Sequence, residues 1–126
     1  MPKSIIIVNS IPAAGPYSHA VEAGQFVFCS GQIPLDPQTG TIIIDDIGAA
    51  TEQVLKNLQT VLAAAGLGLE HVIKTTAFLT DMGNFTVMND VYSRYFSKDY
   101  PARSTVEVAG LPRGVPVEIE AIAMRP

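Results

Sequence analysis

A few charged side chains stand beside apolar segments of this 126-residue chain, where they are placed to do chemistry. Arg103 follows Pro101-Ala102 and opens an alternating segment, and its planar guanidinium can bind a carboxylate through two parallel hydrogen bonds. Glu118 and Glu120 alternate with apolar residues, so both carboxylates point away from the apolar set. A partly desolvated glutamate has a raised pKa and can accept a proton. The residues alone leave two alternatives open, a structural ion pair for Arg103 and a solvated strand face for the glutamates.

Two short segments near the N-terminus supply further candidates. Gly15-Pro16-Tyr17 combines a rigid turn with a phenol that can donate a hydrogen bond or form the wall of a pocket. Ser30-Gly31-Gln32 follows an apolar strand, and Gly31 would let a ligand approach backbone N–H groups closely. A core tyrosine and a β-bulge glycine are the structural alternatives. Cys29 is expected to be a buried small hydrophobe.

Composition excludes several classes of protein. The net charge of −4 lacks the basic footprint of a nucleic-acid binder. One cysteine and two isolated histidines argue against a disulfide framework and a metal site. Phosphate-loop, dinucleotide-binding and hydrolase-elbow motifs are absent. No apolar stretch has the length of a signal peptide core or a membrane span. We therefore expect a soluble, cytoplasmic protein that binds neither nucleic acid nor membrane.

Hydrophobic periodicity predicts the elements that position these residues. Strands are expected at 4–8, within 20–30 around a turn at Gly24, and at 72–80, 103–108 and 116–124; helices are expected at 47–65 and near 84–97. Asp45 or Asp46 should cap the first helix and Gly66 should end it. The last two strands, on either side of the Pro112 turn, are predicted to form a hairpin.

This order of elements indicates a single α+β domain over residues 1–126, with a mixed β-sheet and both helices packed on one face. The other face, to which we assign Val106, Ile119 and Ala121, has no covering layer within the chain. Charged residues make up 16% of the sequence, against a typical ~25%, and residues 1–44 hold only Lys3, Glu22 and Asp36. We therefore expect other copies of the chain to cover part of this surface.

Several segments together resemble the RidA (YjgF) family of reactive-intermediate deaminases over essentially the whole chain. The resemblance rests on Gly15-Pro16-Tyr17-Ser18, Ser30-Gly31-Gln32-Ile33-Pro34, Met88-Asn89-Asp90-Val91-Tyr92, Pro101-Ala102-Arg103-Ser104 and Val117-Glu118-Ile119-Glu120-Ala121. It implies a chorismate-mutase-like fold and a homotrimer with clefts between subunits. It also implies a 2-iminobutanoate/2-iminopropanoate deaminase, which hydrolyses 2-imino acids to 2-oxo acids and ammonia without a cofactor.

The resemblance also implies roles for individual residues. Arg103 would bind the substrate carboxylate, Glu118 would activate the attacking water, and Tyr17 would line the pocket. The expected substrate-binding set is completed by Ser30, Gly31, Asn89 and Thr105, the last standing where many members have cysteine. Two other functions stay open: a small-metabolite binding module without turnover, and a ribonuclease or translation inhibitor, which the net charge disfavours.

Overall fold

The computed structural model describes residues 2–126 and has the expected α+β architecture. Six strands and two α-helices follow one another in chain order, joined by loops and three short 3₁₀ turns. They are β1 (Ser4–Ile6), β2 (Ala20–Ala23), β3 (Phe26–Gln32), α1 (Ile47–Ala64), β4 (Val72–Leu79), α2 (Phe85–Tyr95), β5 (Ala102–Glu107) and β6 (Val117–Met124).

The six strands form one mixed sheet in the order β1-β2-β3-β6-β4-β5. The pair β4–β5 is parallel and every other pair is antiparallel. The predicted hairpin of β5 and β6 is wrong, because β4 lies between them. Helix α2 supplies the long crossover that a parallel β4–β5 pair requires, and this leaves β5 at the sheet edge. The more apolar β6 takes a central position with partners on both sides.

Helix α1 begins at the predicted residue and ends one residue before the predicted end. The Asp46 carboxylate accepts a hydrogen bond from the Ala49 N–H at 3.0 Å and caps the N-terminus. At the other end Gly66 has φ +76°, and the Leu67 N–H donates to the Leu62 carbonyl at 2.9 Å. This is a Schellman ending, in which the left-handed residue is usually glycine.

Both helices pack on the same face of the sheet and bury the core there. Leu55, Leu58 and Leu62 of α1 are fully buried against the sheet strands. Ile119 and Ala121 of β6 belong to this core, with 0% and 3% exposure. Their assignment to the uncovered face is therefore wrong: they share the parity of Val117, so they point toward the helices.

The opposite face of the sheet, called here the open face, carries large apolar side chains in contact with solvent. Strand pairing places Phe28 beside Ile122, and Val106 beside Phe78, on the same side as Glu118. Five apolar side chains of this face are between 40% and 56% exposed: Ile5, Phe26, Phe28, Val106 and Met124. No helix of residues 2–126 packs against the open face. An apolar surface of this kind is typical of an interaction site.

Candidate functional site

Arg103 lies on the helix side of the sheet, because it pairs with Thr75, which is fully buried beneath α2. Its guanidinium carbon is 4.7 Å from the ring centre of Tyr92 and 5.6 Å from that of Phe85. One terminal nitrogen donates to the Asn89 side-chain oxygen at 2.7 Å. A guanidinium has five N–H donors, so this arrangement fixes its orientation and leaves donors for a ligand carboxylate.

The platform beneath Arg103, formed by Phe85, Asn89 and Tyr92, is itself rigidly held. The Tyr92 hydroxyl makes a 2.7 Å hydrogen bond with the Thr75 hydroxyl, and Tyr92 is only 4% exposed. Burial raises the pKa of the Tyr92 phenol, so the ring stays neutral. Neither Phe85 nor Tyr92 is among the candidate site residues of the sequence. Their spacing could have indicated the platform, because positions 85, 89 and 92 follow i, i+4, i+7 spacing and lie on one helix face.

Thr105 lies two residues after Arg103 and faces the same side of the sheet. Its hydroxyl oxygen is buried and has no hydrogen-bond partner within residues 2–126, a state that costs about 1–3 kcal/mol. Beside Arg103 a cavity of about 290 Å³ opens between α2 and the segment before β5. Arg103, its platform and this cavity are called the arginine half-site.

Glu118 lies on the other side of the sheet. It pairs with Phe78, which has the opposite parity from Thr75 on β4, so its carboxylate is on the open face. Glu118 is half-buried, and burial, reinforced by the negative charge of Glu120, raises the pKa of its carboxyl above the usual range. A carboxylate in this state is better suited to accept a proton near neutral pH than an ordinary glutamate.

Gly31 allows the backbone of β3 to approach the Glu118 carboxyl. A Cβ at position 31 would stand 2.9 Å from the Glu118 Cδ, closer than real Cβ atoms come. The β3–β6 register shifts between Cys29 and Gln32, as the β-bulge interpretation of Gly31 requires. The group that comes close to Gly31 is the Glu118 carboxyl, and the approach of a ligand stays a prediction. Only glycine fits here without displacing the glutamate.

Tyr17 and Gly31 line a second cavity, of about 160 Å³. The Tyr17 phenol is 49% exposed, so it is not a core tyrosine, and its oxygen accepts a hydrogen bond from the Ala14 N–H at 3.3 Å. The Ser30 hydroxyl donates to the Ser18 carbonyl at 2.6 Å and ties this segment to β3. Tyr17, Gly31 and Glu118 are called here the glutamate half-site.

The two half-sites do not meet within one protomer. Arg103 and Glu118 belong to strands separated by β4, about 10 Å apart at the usual strand spacing. They also project from opposite faces of the sheet. A small ligand that contacts one of them is therefore separated from the other by the sheet itself. Asn89 and Thr105 belong with Arg103, while Tyr17, Ser30 and Gly31 belong with Glu118.

Other chemistry-bearing residues lie apart from these half-sites. Cys29 is buried, and burial raises the pKa of its thiol to about 11, so it is unreactive at neutral pH. Within residues 2–126, no three His, Cys, Asp or Glu side chains are grouped so that they can hold a metal ion. In the same range, no helix has the length and hydropathy needed to cross a membrane.

The chain matches known proteins in both sequence and structure. The family model described as Endoribonuclease L-PSP matches residues 7–125. The chain belongs to this family, which is the YjgF/RidA family, and the family resemblance seen in the sequence is confirmed.

Individual relatives match over nearly their whole length. A RutC family protein of Pyrococcus horikoshii is 50% identical over 124 residues, covering 98% of both chains. The 2-iminobutanoate/2-iminopropanoate deaminase of Salmonella typhimurium is 44% identical over 128 residues, covering 99% of both. The crystal structure of Escherichia coli TdcF with bound serine superimposes with a TM-score of 0.92 at 44% identity, covering 98% and 99% of the two chains. The names of these relatives differ, so the family alone does not decide between activities.

Proposed function

We propose that this protein is a deaminase that hydrolyses small 2-imino acids, such as 2-iminobutanoate and 2-iminopropanoate, to 2-oxo acids and ammonia. The observation that carries the proposal is the Arg103 guanidinium, oriented by its platform with unused donors beside an open cavity. A planar carboxylate is the ligand that such donors bind best. Relatives at 44% identity from Salmonella typhimurium and mouse are named 2-iminobutanoate/2-iminopropanoate deaminase, which supports the same assignment.

The chemistry needs little beyond these residues. Arg103 binds the substrate carboxylate and fixes the position of the imine carbon. Glu118 accepts a proton from a water molecule as the water oxygen attacks that carbon, forming a carbinolamine. That proton then passes to the nitrogen, and the hydroxyl of the carbinolamine gives its own proton to Glu118 as the C=O bond forms and the C–N bond breaks. Ammonia leaves, and the 2-oxo acid is the second product. An iminium carbon is already electrophilic, so orientation and proton transfer supply the rate gain.

Because the half-sites lie on opposite faces, we place the reaction between copies of the chain. The arginine half-site of one protomer would meet the glutamate half-site of its neighbour, and the homotrimer implied by the family resemblance provides three such clefts. The exposed apolar side chains of the open face support this arrangement. The low charge content, concentrated at the start of the chain, supports it as well.

A coupled assay tests the function. A pyridoxal-phosphate threonine dehydratase generates 2-iminobutanoate, and semicarbazide traps the imine that the protein has not hydrolysed. Arg103→Ala should lower the acceleration by about 100-fold or more, because orientation of the substrate is lost. Arg94→Ala, which changes an exposed arginine of α2, is the matched control. An Arg103→Ala protein with full activity contradicts the carboxylate-binding role.

A binding module without turnover is the second candidate. It is favoured by the solved relative from Escherichia coli that is described with bound serine, a small amino acid. In that case calorimetry detects binding of 2-oxobutanoate while the coupled assay shows no faster loss of imine. The family description suggests ribonuclease activity as another possibility. It would be supported if the purified protein cleaves RNA and the Arg103→Ala protein does not.

A further inference from the structure

The 160 Å³ cavity shares Tyr17 and Gly31 with the glutamate half-site and lies under the loop that precedes β2. Its walls are mostly apolar, with Ile11, Ile33 and Leu35 among them. The volume corresponds to about five water molecules at liquid density. Gly31 lines this space and also lies against the Glu118 carboxyl, so the space adjoins the glutamate. The side chain of a substrate bound there would meet the polar groups that line the cavity.

Most of these polar groups are already engaged with the protein. The His19 ring accepts a hydrogen bond from the Val8 N–H at 3.1 Å and contacts the Ile11 carbonyl at 2.6 Å. The Asn57 amide donates to the Ile33 carbonyl at 3.2 Å and to the Leu35 carbonyl at 2.8 Å. These two side chains maintain the walls, and they have little capacity left for a ligand.

Arg113 is different. It lines the same cavity, yet within residues 2–126 its side chain makes neither a hydrogen bond nor an ion pair. Among the described residues around this cavity it is the one Lys, Arg, Asp or Glu. Its backbone is also unusual, with φ +58°, followed by Gly114 at φ +71°. A left-handed conformation in a residue with a Cβ costs about 1–2 kcal/mol, and such strain often marks a functional position.

We infer that Arg113 binds a second carboxylate at the end of the substrate side chain, so that the site accepts imines derived from acidic amino acids. The inference rests on the proposed function and extends it to a substrate class. Such a substrate carries two negative charges, and two guanidiniums meet them: Arg103 of one copy at the carboxylate next to the imine, and Arg113 of the neighbouring copy at the distal one. Hydrogen bonds from a guanidinium to a carboxylate are charge-assisted and bidentate.

The reaction itself is unchanged. Water adds across the C=N bond at C2, the C–N bond of the carbinolamine breaks, and ammonia and a 2-oxo dicarboxylate are released. No electrons are transferred and no further reactant is needed. The distal carboxylate takes no part in bond making, so its recognition appears in the specificity constant.

The experiment compares two imines under matched conditions. A threonine dehydratase generates 2-iminobutanoate, a flavin-dependent oxidase acting on L-aspartate generates 2-iminosuccinate, and semicarbazide traps both. The quantity measured is the ratio of kcat/KM for the dicarboxylic imine to kcat/KM for the monocarboxylic imine. Arg113→Gln should lower this ratio about tenfold or more, because a charged hydrogen-bonding partner is lost. Arg113→Lys retains the charge and should keep most of the ratio, and Arg94→Gln should not change it.

The outcomes separate this inference from the proposed function. If the protein accelerates loss of 2-iminobutanoate but not of 2-iminosuccinate, or if Arg113→Gln leaves the ratio unchanged, the role of Arg113 is wrong and the deaminase proposal stands. If neither imine is lost faster, both proposals fail. As a second readout, calorimetry with 2-oxoglutarate should show weaker binding to Arg113→Gln than to the unchanged protein, and equal binding also overturns the inference.

Discussion

The Glu118 carboxyl and the Glu120 carboxyl stand two residues apart on the same face of β6, with different exposures. Glu118 is half-buried beside Gly31, whereas Glu120 is exposed. Burial and the charge of Glu120 both raise the pKa of Glu118. This difference favours Glu118 as the group that accepts the proton from water. Through its charge, Glu120 also affects the pKa of Glu118, and this effect does not require contact between Glu120 and the substrate.

The acidic limb of the pH–rate profile should report this coupling. In the proposed mechanism Glu118 acts as a carboxylate, so activity is expected above its pKa and should be lost as pH falls through it. Because that pKa is raised, the loss begins at a higher pH than for an ordinary glutamate. Glu120→Gln removes one of the two causes, so the midpoint of kcat/KM for 2-iminobutanoate should move to lower pH. Glu118→Gln should lower kcat/KM by about 100-fold or more across the range.

Glu120→Asp keeps the negative charge and is the control for this shift. Its acidic limb should stay near that of the unchanged protein. A midpoint that moves to higher pH in Glu120→Gln contradicts the electrostatic coupling. Greater loss of turnover in Glu120→Gln than in Glu118→Gln means that Glu120 is the water-activating residue instead.

At the scale of elements, the left-handed ending of α1 gives a stability test without side-chain complications. A Cβ at Gly66 meets no atom within 4 Å, so Gly66→Ala changes only the backbone energy at φ +76°. The free energy of unfolding should fall by about 1–2 kcal/mol. Gly110→Ala is the matched control, because its Cβ also meets no atom and its φ lies outside the left-handed range. Urea unfolding at one fixed protein concentration measures both, and equal effects contradict the explanation.

The sequence pattern predicted the type of each element better than its neighbours in the sheet. Alternation along β6 correctly separated Glu118 and Glu120 from Val117, Ile119 and Ala121, since side-chain direction is a local property of a strand. Pairing depends on distant segments, and the expected hairpin failed because β4 competes for the edge of β6.

For the candidate site, too, local sequence patterns selected residues but did not predict their spatial arrangement. Short motifs selected Arg103, Glu118, Tyr17 and Gly31, but no local pattern shows that Arg103 and Glu118 leave the sheet on opposite sides. That fact follows from the pairing of Thr75 with Arg103 and of Phe78 with Glu118, because Thr75 and Phe78 are three residues apart on β4 and point to opposite faces. Arg113 was not selected at all, because its significance depends on a cavity formed by segments far apart in the chain.

At the scale of the whole molecule, each protomer presents the two proposed half-sites on opposite faces of its sheet. One face offers an arginine with free donors, and the other offers a half-buried glutamate surrounded by exposed apolar residues. An assembly that covers the open face would remove those apolar side chains from water and bring the unlike half-sites together. The stability of the assembly and its activity are then consequences of the same contact. For the proposed homotrimer, light scattering should give three times the 13.4 kDa protomer mass.

Mixing two inactive variants tests this directly. Arg103→Ala chains keep Glu118, and Glu118→Gln chains keep Arg103, so a cleft between one chain of each kind can be intact. After joint refolding in equal amounts, random assembly should restore about a quarter of the unchanged activity, since one cleft in four receives both residues. Each variant refolded alone provides the background. A site contained within one chain gives no recovery, because every chain then carries one defect. If the mixed sample regains the full oligomer mass but shows no activity, Arg103 and Glu118 of a working site come from the same protomer, and the proposed cleft between copies is wrong.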